Sequence, residues 1–143
     1  MKKIIVIMRE TFPTNEILSD KNINEKYILN PYDEYALFQA KKIKERNNEV
    51  EIHCYFISRR ASQYGLRKAL GLGADKGFFL LCKNLSFSEI AEQLGKEVQK
   101  EKYDAIFMGI RDVNNDREEL PSRLAIALHI PLYSHILSVN YEE

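Results

Sequence analysis

Four continuous apolar runs punctuate this chain: Lys3–Met8, Val50–Ile57, Gly77–Leu81 and Ala105–Met108. Runs of this kind, rather than strict alternation of apolar and polar residues, are expected of strands buried on both faces of a parallel sheet. The segments between them carry a helical period instead. From Tyr32 onward, Ala36, Ala40 and Ile43 fall on one stripe while Lys41, Lys42, Lys44 and Glu45 face water. Ile90, Leu94 and Val98, with Ala91 beside them, form a second stripe, and Leu120, Leu124, Ala127 and Leu128 form a third. A shorter helix is predicted over Ser62–Leu70. The alternation of strand and helix predicts an α/β fold, a doubly wound and mostly parallel sheet.

The boundaries of the predicted helices agree with this reading. Asn30 is a candidate cap for the first helix, with Pro31 at its first position and Asp33 and Glu34 favouring the positive end of the dipole. Ser86 followed three residues later by Glu89 reads as a capping box. Gly71 or Gly73 supplies the left-handed turn that stops the Ser62–Leu70 helix. Two segments fall outside the rhythm. Residues 14–29, with apolar clusters on either side of Asp20-Lys21-Asn22, read as a hairpin excursion after the first strand. His135–Tyr141 reads as a fifth strand.

Composition narrows the picture further. A chain of 143 residues suits a single domain spanning 1–143, which would bury about 70% of its unfolded surface. Lysine plus arginine (21) balances aspartate plus glutamate (21), so no overall field draws the chain to nucleic acid or to a membrane surface. Met1-Lys2-Lys3 before Ile4–Met8 is faintly like a signal peptide, but the apolar run is short and Arg9-Glu10 follow it. A buried first strand and a cytoplasmic protein are expected. Cys54 and Cys82, without CxxC spacing, are expected to be free thiols.

Candidate chemistry lies beyond the carboxyl ends of the strands, where open parallel sheets bind their ligands. The residues just past those ends are basic: Arg9, Arg59, Arg60, Lys83 and Arg111. Arginine at such a crevice suits phosphate because its planar fork donates paired hydrogen bonds. Equally, these are loop charges in water, cancelled by Glu10, Asp112, Glu118 and Glu119. The loop from Gly109 to Leu120 leads into a helix N-terminus, where phosphate is favoured, and Gly109 allows close backbone approach. Tyr32 and Tyr35 either stack on a ring or pack the lip of the crevice. Gly71-Leu72-Gly73-Ala74-Asp75-Lys76-Gly77 follows a helix, so it reads as a helix stop rather than a dinucleotide loop. His53, His129 and His135 lack metal-ligand spacing, and no GxSxG, phosphate-binding P-loop or catalytic Cys–His grouping is present.

Four short motifs occur in a specific order: Asn30-Pro31-x-Asp33-Glu34-x-Ala36-Leu37, Arg67-x-Ala69-Leu70-x-x-Gly73-Ala74-Asp75, Tyr103-Asp104-x-Ile106-x-x-Gly109 and Leu128-x-Ile130-Pro131. Together they resemble the electron transfer flavoprotein β subunit, or FixA, family over most of the chain. The resemblance implies a sheet of the adenine-nucleotide α-hydrolase type and a heterodimer with an α-type subunit that holds the redox-active FAD. It also implies a bound AMP, or FAD in electron-bifurcating members. Matched by position, the adenosine side falls on Ile7, Asn30, Pro31, Tyr32, Asp33 and Ile57. The phosphate side falls on the loop from Gly109, taking in Arg111, Asp116 and Arg117.

The chain departs from the family pattern in two ways. Asp116 is followed by Arg117, Glu118 and Glu119, where the family carries a small hydroxyl or thiol residue, a small or amide residue and a glutamine. Each added carboxylate opposes a phosphate by an amount on the order of 1 kcal/mol, with Arg117 as the offsetting charge. The chain also stops at Glu143, so a short form is expected, without the segment that wraps the α subunit. The resemblance thus implies a nucleotide-binding or scaffolding subunit, electron-transferring rather than catalytic. The alternatives are a stand-alone adenine-nucleotide module of the universal-stress-protein type, or a degenerate relative that forms only a homodimer.

Overall fold

The computed structural model describes residues 2–11, 28–60, 63–112 and 118–142. Strand β1 (Lys2–Thr11) is followed by a two-residue strand β2 (Ile28–Leu29), helix α1 (Pro31–Arg46) and strand β3 (Val50–Ser58). Helix α2 (Tyr64–Leu72), strand β4 (Lys76–Leu81), helix α3 (Phe87–Val98), strand β5 (Ala105–Met108) and helix α4 (Glu119–Leu128) complete the order. The four main strands lie where the apolar runs predict them. Of the predicted hairpin excursion, only Ile28–Leu29 lies within the described residues, and that pair joins β1 antiparallel at Glu10 and Thr11.

All other pairings are parallel, in the order β5-β1-β3-β4. Successive side chains of a strand point to opposite faces, and the core divides accordingly. Ile4, Val6 and Met8 with Ile52, Cys54 and Phe56 pack under α1 and α2. Ile5 and Ile7 with Tyr55 and Ile57 pack under α3 and α4. Helices on both faces make the sheet doubly wound. Burial pushes the Cys54 thiol up to about 12 and raises that of Cys82 as well; both cysteines are free and buried.

Helix boundaries follow local chemistry, with one correction. Ser86 and Glu89 close the capping box: the Glu89 amide donates to Ser86 Oγ at 3.2 Å and the Ser86 amide to Glu89 Oε2 at 2.7 Å. Gly73, at φ 127°, rather than Gly71, ends α2. Asn30 does not cap α1 with its side chain. Its carbonyl accepts from the amides of Asp33 and Glu34, both at 3.0 Å, while its side-chain amide is engaged elsewhere.

The tail is the second correction, because residues 135–141 form no strand. His135 turns the chain at φ 58°. Beyond that turn the tail lies along α1. Tyr35 Oη donates to the Leu137 carbonyl, Arg46 Nη1 to Asn140 Oδ1 at 3.1 Å, and Val139 packs against the core. Lys2 Nζ stands over the Tyr141 ring, 5.8 Å from its centroid. Among the described residues, no helix is long and apolar enough to cross a membrane.

Candidate functional site at the strand ends

The chain moves outward from β1 through β3 to β4, then returns to place β5 on the other side of β1. The carboxyl ends of β1 and β5 therefore flank the point where strand order reverses, the expected ligand crevice of such a sheet. A charged hub occupies this position. Arg9, at the end of β1, grips Asp33 in the first turn of α1 through Nε to Oδ2 and Nη2 to Oδ1, each at 3.0 Å. The Arg9 amide adds a third bond to Oδ2 at 2.9 Å. Asn30 Nδ2 donates to the same oxygen at 3.0 Å, and the Gly109 amide to Oδ1 at 2.8 Å.

Asp33 thus accepts five hydrogen bonds while fully buried (0% exposed), and Arg9 is 5% exposed. Charged hydrogen bonds in this bidentate geometry are the strong ones. Burial works against the Arg9 charge, but Asp33 more than offsets it, and the guanidinium stays above its ordinary value. The start of the β5–α4 loop is tied into the same hub. Arg9 Nη2 donates to the carbonyls of Gly109 at 2.9 Å and Arg111 at 3.2 Å, and Asn30 Nδ2 to that of Arg111 at 2.8 Å. Thr11 Oγ1 bonds Asp112 Oδ1 at 3.2 Å.

The predicted site residues therefore divide into groups. Asn30, Asp33, Gly109 and Arg111 converge at the switch point, with the Arg111 guanidinium over the Tyr32 ring at 5.2 Å from the centroid. Pro31 is exposed beside them. Ile7 (0% exposed) and Ile57 (4%) lie inside the core under α3 and α4. Asp116 and Arg117 lie outside the described residues.

The basic residues do not act as one patch. Arg9 is tied to Asp33, and Arg60 grips Glu10 through Nε and Nη2, both at 3.0 Å, with Ser58 Oγ also bonding Glu10. Arg59 and Lys83 are exposed. Sequence reasoning named Glu10 among the acids cancelling these charges but not its Arg60 partner, and it missed the Arg9–Asp33 pair. The available signal was a charge at the buried end of an apolar strand, which needs a counter-charge nearby.

The opposite end of the sheet holds a second polar group. His53, fully buried, shares hydrogen bonds with Glu51 through Nε2 and Tyr103 through Nδ1, both at 2.7 Å. His53 first, and then Lys76, pull the Glu51 carboxyl down to about 2. A carboxyl whose folded value is depressed contributes stability above its unfolded value, and that contribution is lost as pH falls through the folded one. The urea midpoint should therefore drop between pH 4.5 and about 2, and Glu51→Gln should flatten that slope. Identical pH profiles for the two proteins would remove Glu51 from the account. Among the described residues, no group of three or more His, Cys, Asp or Glu is placed to hold a metal.

A doubly wound α/β domain with its switch point closed by an arginine–aspartate hub defines the class. The model of the electron transfer flavoprotein domain matches residues 22–143, and the chain belongs to that family. Among curated proteins it is 34% identical to the electron transfer flavoprotein subunit beta of Dictyostelium discoideum over 121 residues, 84% of this chain and 48% of that protein. The same subunit of Thermoanaerobacterium thermosaccharolyticum is 26% identical over 148 residues (97% and 56%), and that of Mus musculus 30% over 122 (82% and 48%). The chain spans about half the length of these relatives.

Proposed function

We propose that this chain serves as an electron transfer flavoprotein β-type subunit, a nucleotide-binding scaffold beside a flavin-carrying α-type partner, with no turnover of its own. The reading rests on one observation above all. In a chain whose relatives are named as β subunits, Asn30, Asp33, Gly109 and Arg111 converge where the strand order reverses. The described residues suit the phosphate side of an adenine nucleotide, AMP or FAD. Arg111 brings a positive charge to the crevice, and α1 directs the positive end of its dipole there. The adenosine would lie against Asn30, Pro31 and Tyr32. Ile7 and Ile57 would back it from within the core, and Asp116 and Arg117 would complete the loop side. An FAD would supply the electron-carrying ring, and the chain's part is to hold its adenosine phosphate. The stand-alone stress-protein reading has no comparable support.

Co-expression with an α-type subunit tests the proposal. The complex should co-purify with a flavin absorbance band, while the chain alone should reduce no dye. Calorimetry should detect AMP or FAD, and Arg111→Gln should weaken that binding roughly tenfold, the equivalent of about 1.4 kcal/mol. Dye reduction by the chain alone, or tight ATP binding without a partner, would overturn the assignment.

A further inference from the structure

At the other end of the sheet, the tail and the second half of α1 enclose a cavity of about 330 Å3. It lies beside the turn into β3 and near the start of β1, where Lys2 meets Tyr141. Its size falls at the lower end for small-molecule sites, roughly 300–1,000 Å3. Two features of its walls point to a ligand.

The first is charge. Lys42 and Arg46 line the cavity, and among the described residues no carboxylate does. Lys44 and Lys68 are paired, with Asp75 and Glu34, although Lys41 on α1 has no ion pair among the described residues. No ion pair holds Lys42 or Arg46 among the described residues either. Lys42 Nζ stands 5.5 Å from the Phe38 ring centroid, and Arg46 bonds only the neutral Asn140 amide, at 3.1 Å. Lys2 adds a third positive charge beside Tyr141.

The second feature is Gln39. It is 6% exposed, shares the buried face of α1 with Ala36, Ala40 and Ile43, and faces the cavity. Its side-chain amide carries two donors and an acceptor, yet it bonds no described residue. Its polar atoms are not sealed in the core but open onto the cavity. A ligand in the cavity would meet donors and an acceptor that no described residue occupies.

We propose that this cavity binds a small molecule bearing an oxyanion, carboxylate or phosphate. Lys42 and Arg46 hold the charged group, the Gln39 amide bonds a second polar group, and Tyr141 flanks it. The site is separate from the nucleotide crevice and does not depend on it.

The test is an amide NMR titration of the isotope-labelled chain with inorganic phosphate, with succinate, and with sodium chloride at matched ionic strength. Phosphate, succinate or both should shift the Gln39 and Asn140 side-chain amides and residues 138–141 saturably; which of them does so identifies the anion. Gln39→Met should weaken binding at least threefold, and Lys42→Gln with Arg46→Gln at least tenfold, each variant keeping the dispersed spectrum of the folded chain. An AMP titration, read at Asn30 and Gly109, reports the other crevice separately. Linear shifts reproduced by sodium chloride, or variants that bind like the parent, would overturn the proposal.

Discussion

Asp33→Ala should destabilise this protein by about 3–5 kcal/mol, the range expected when one partner of a buried ion pair is removed. Arg9 would keep its charge at 5% exposure with the Asp112 carboxylate as its remaining counter-charge. The amides of Arg9 and Gly109 and the side chain of Asn30 would lose their shared acceptor as well. Urea unfolding followed by circular dichroism measures the loss. Asp33→Asn should fall between the two, since it keeps the shape but turns one acceptor into a donor facing other donors. The double change Arg9→Met with Asp33→Leu removes both charges, yet it should recover only part of the stability. Those neutral donors would still lack an acceptor, and burying them unsatisfied is unfavourable. A loss below about 1 kcal/mol for Asp33→Ala would mean that the hub contributes little to the fold.

The second large effect is expected at Gly109. An added Cβ would lie 2.6 Å from Asp33 Oδ1, and at the same distance from the carbonyl carbon and Cβ of Tyr32. Neither obstacle moves easily, because one is fixed by five hydrogen bonds and the other is the opening turn of α1. Gly109→Ala should therefore cost about 3 kcal/mol, at or above the top of the usual overpacking range of 1–3 kcal/mol. It should also weaken any nucleotide held at the switch point. Gly71 is the natural control, since its added Cβ would meet nothing within 4 Å. Gly71→Ala should be neutral or stabilising by about 0.5–1 kcal/mol. If the two alanine variants unfold at the same urea concentration, the close approach at Gly109 is not a constraint.

The layers of this fold were legible in the sequence because burial on both faces leaves a direct mark. The run at Ile4–Met8 is apolar throughout and β1 is buried along it, as a covered parallel strand requires, whereas the edge run at Ala105–Met108 is only half-buried. The Ser86–Glu89 capping box was legible for a related reason: its partners lie within one turn of helix. What escaped sequence reading depended on distant partners. Asn30 looks like a cap because asparagine in front of a proline-led helix usually is one. Its amide instead turns to Arg111, 81 residues away. Arg9 and Arg60 looked like an anion patch because their acids, Asp33 and Glu10, meet them only once the strands are in register. The tail misled for a different reason. Ile136, Leu137 and Val139 have the composition of a strand, but the left-handed turn at His135 carries the chain along α1, and Val139 covers α1-side core instead.

The switch-point hub also constrains the order of events during synthesis. Arg9 and Gly109 are 100 residues apart, and Asp33 and Gly109 are 76 apart. Contacts this remote in sequence form late, after the loop-closure entropy has been met. A nascent chain that has not yet released β5 from the ribosome can join Arg9 to Asp33, but the Gly109 amide is still missing from that carboxylate. Completion of the hub therefore waits for β5.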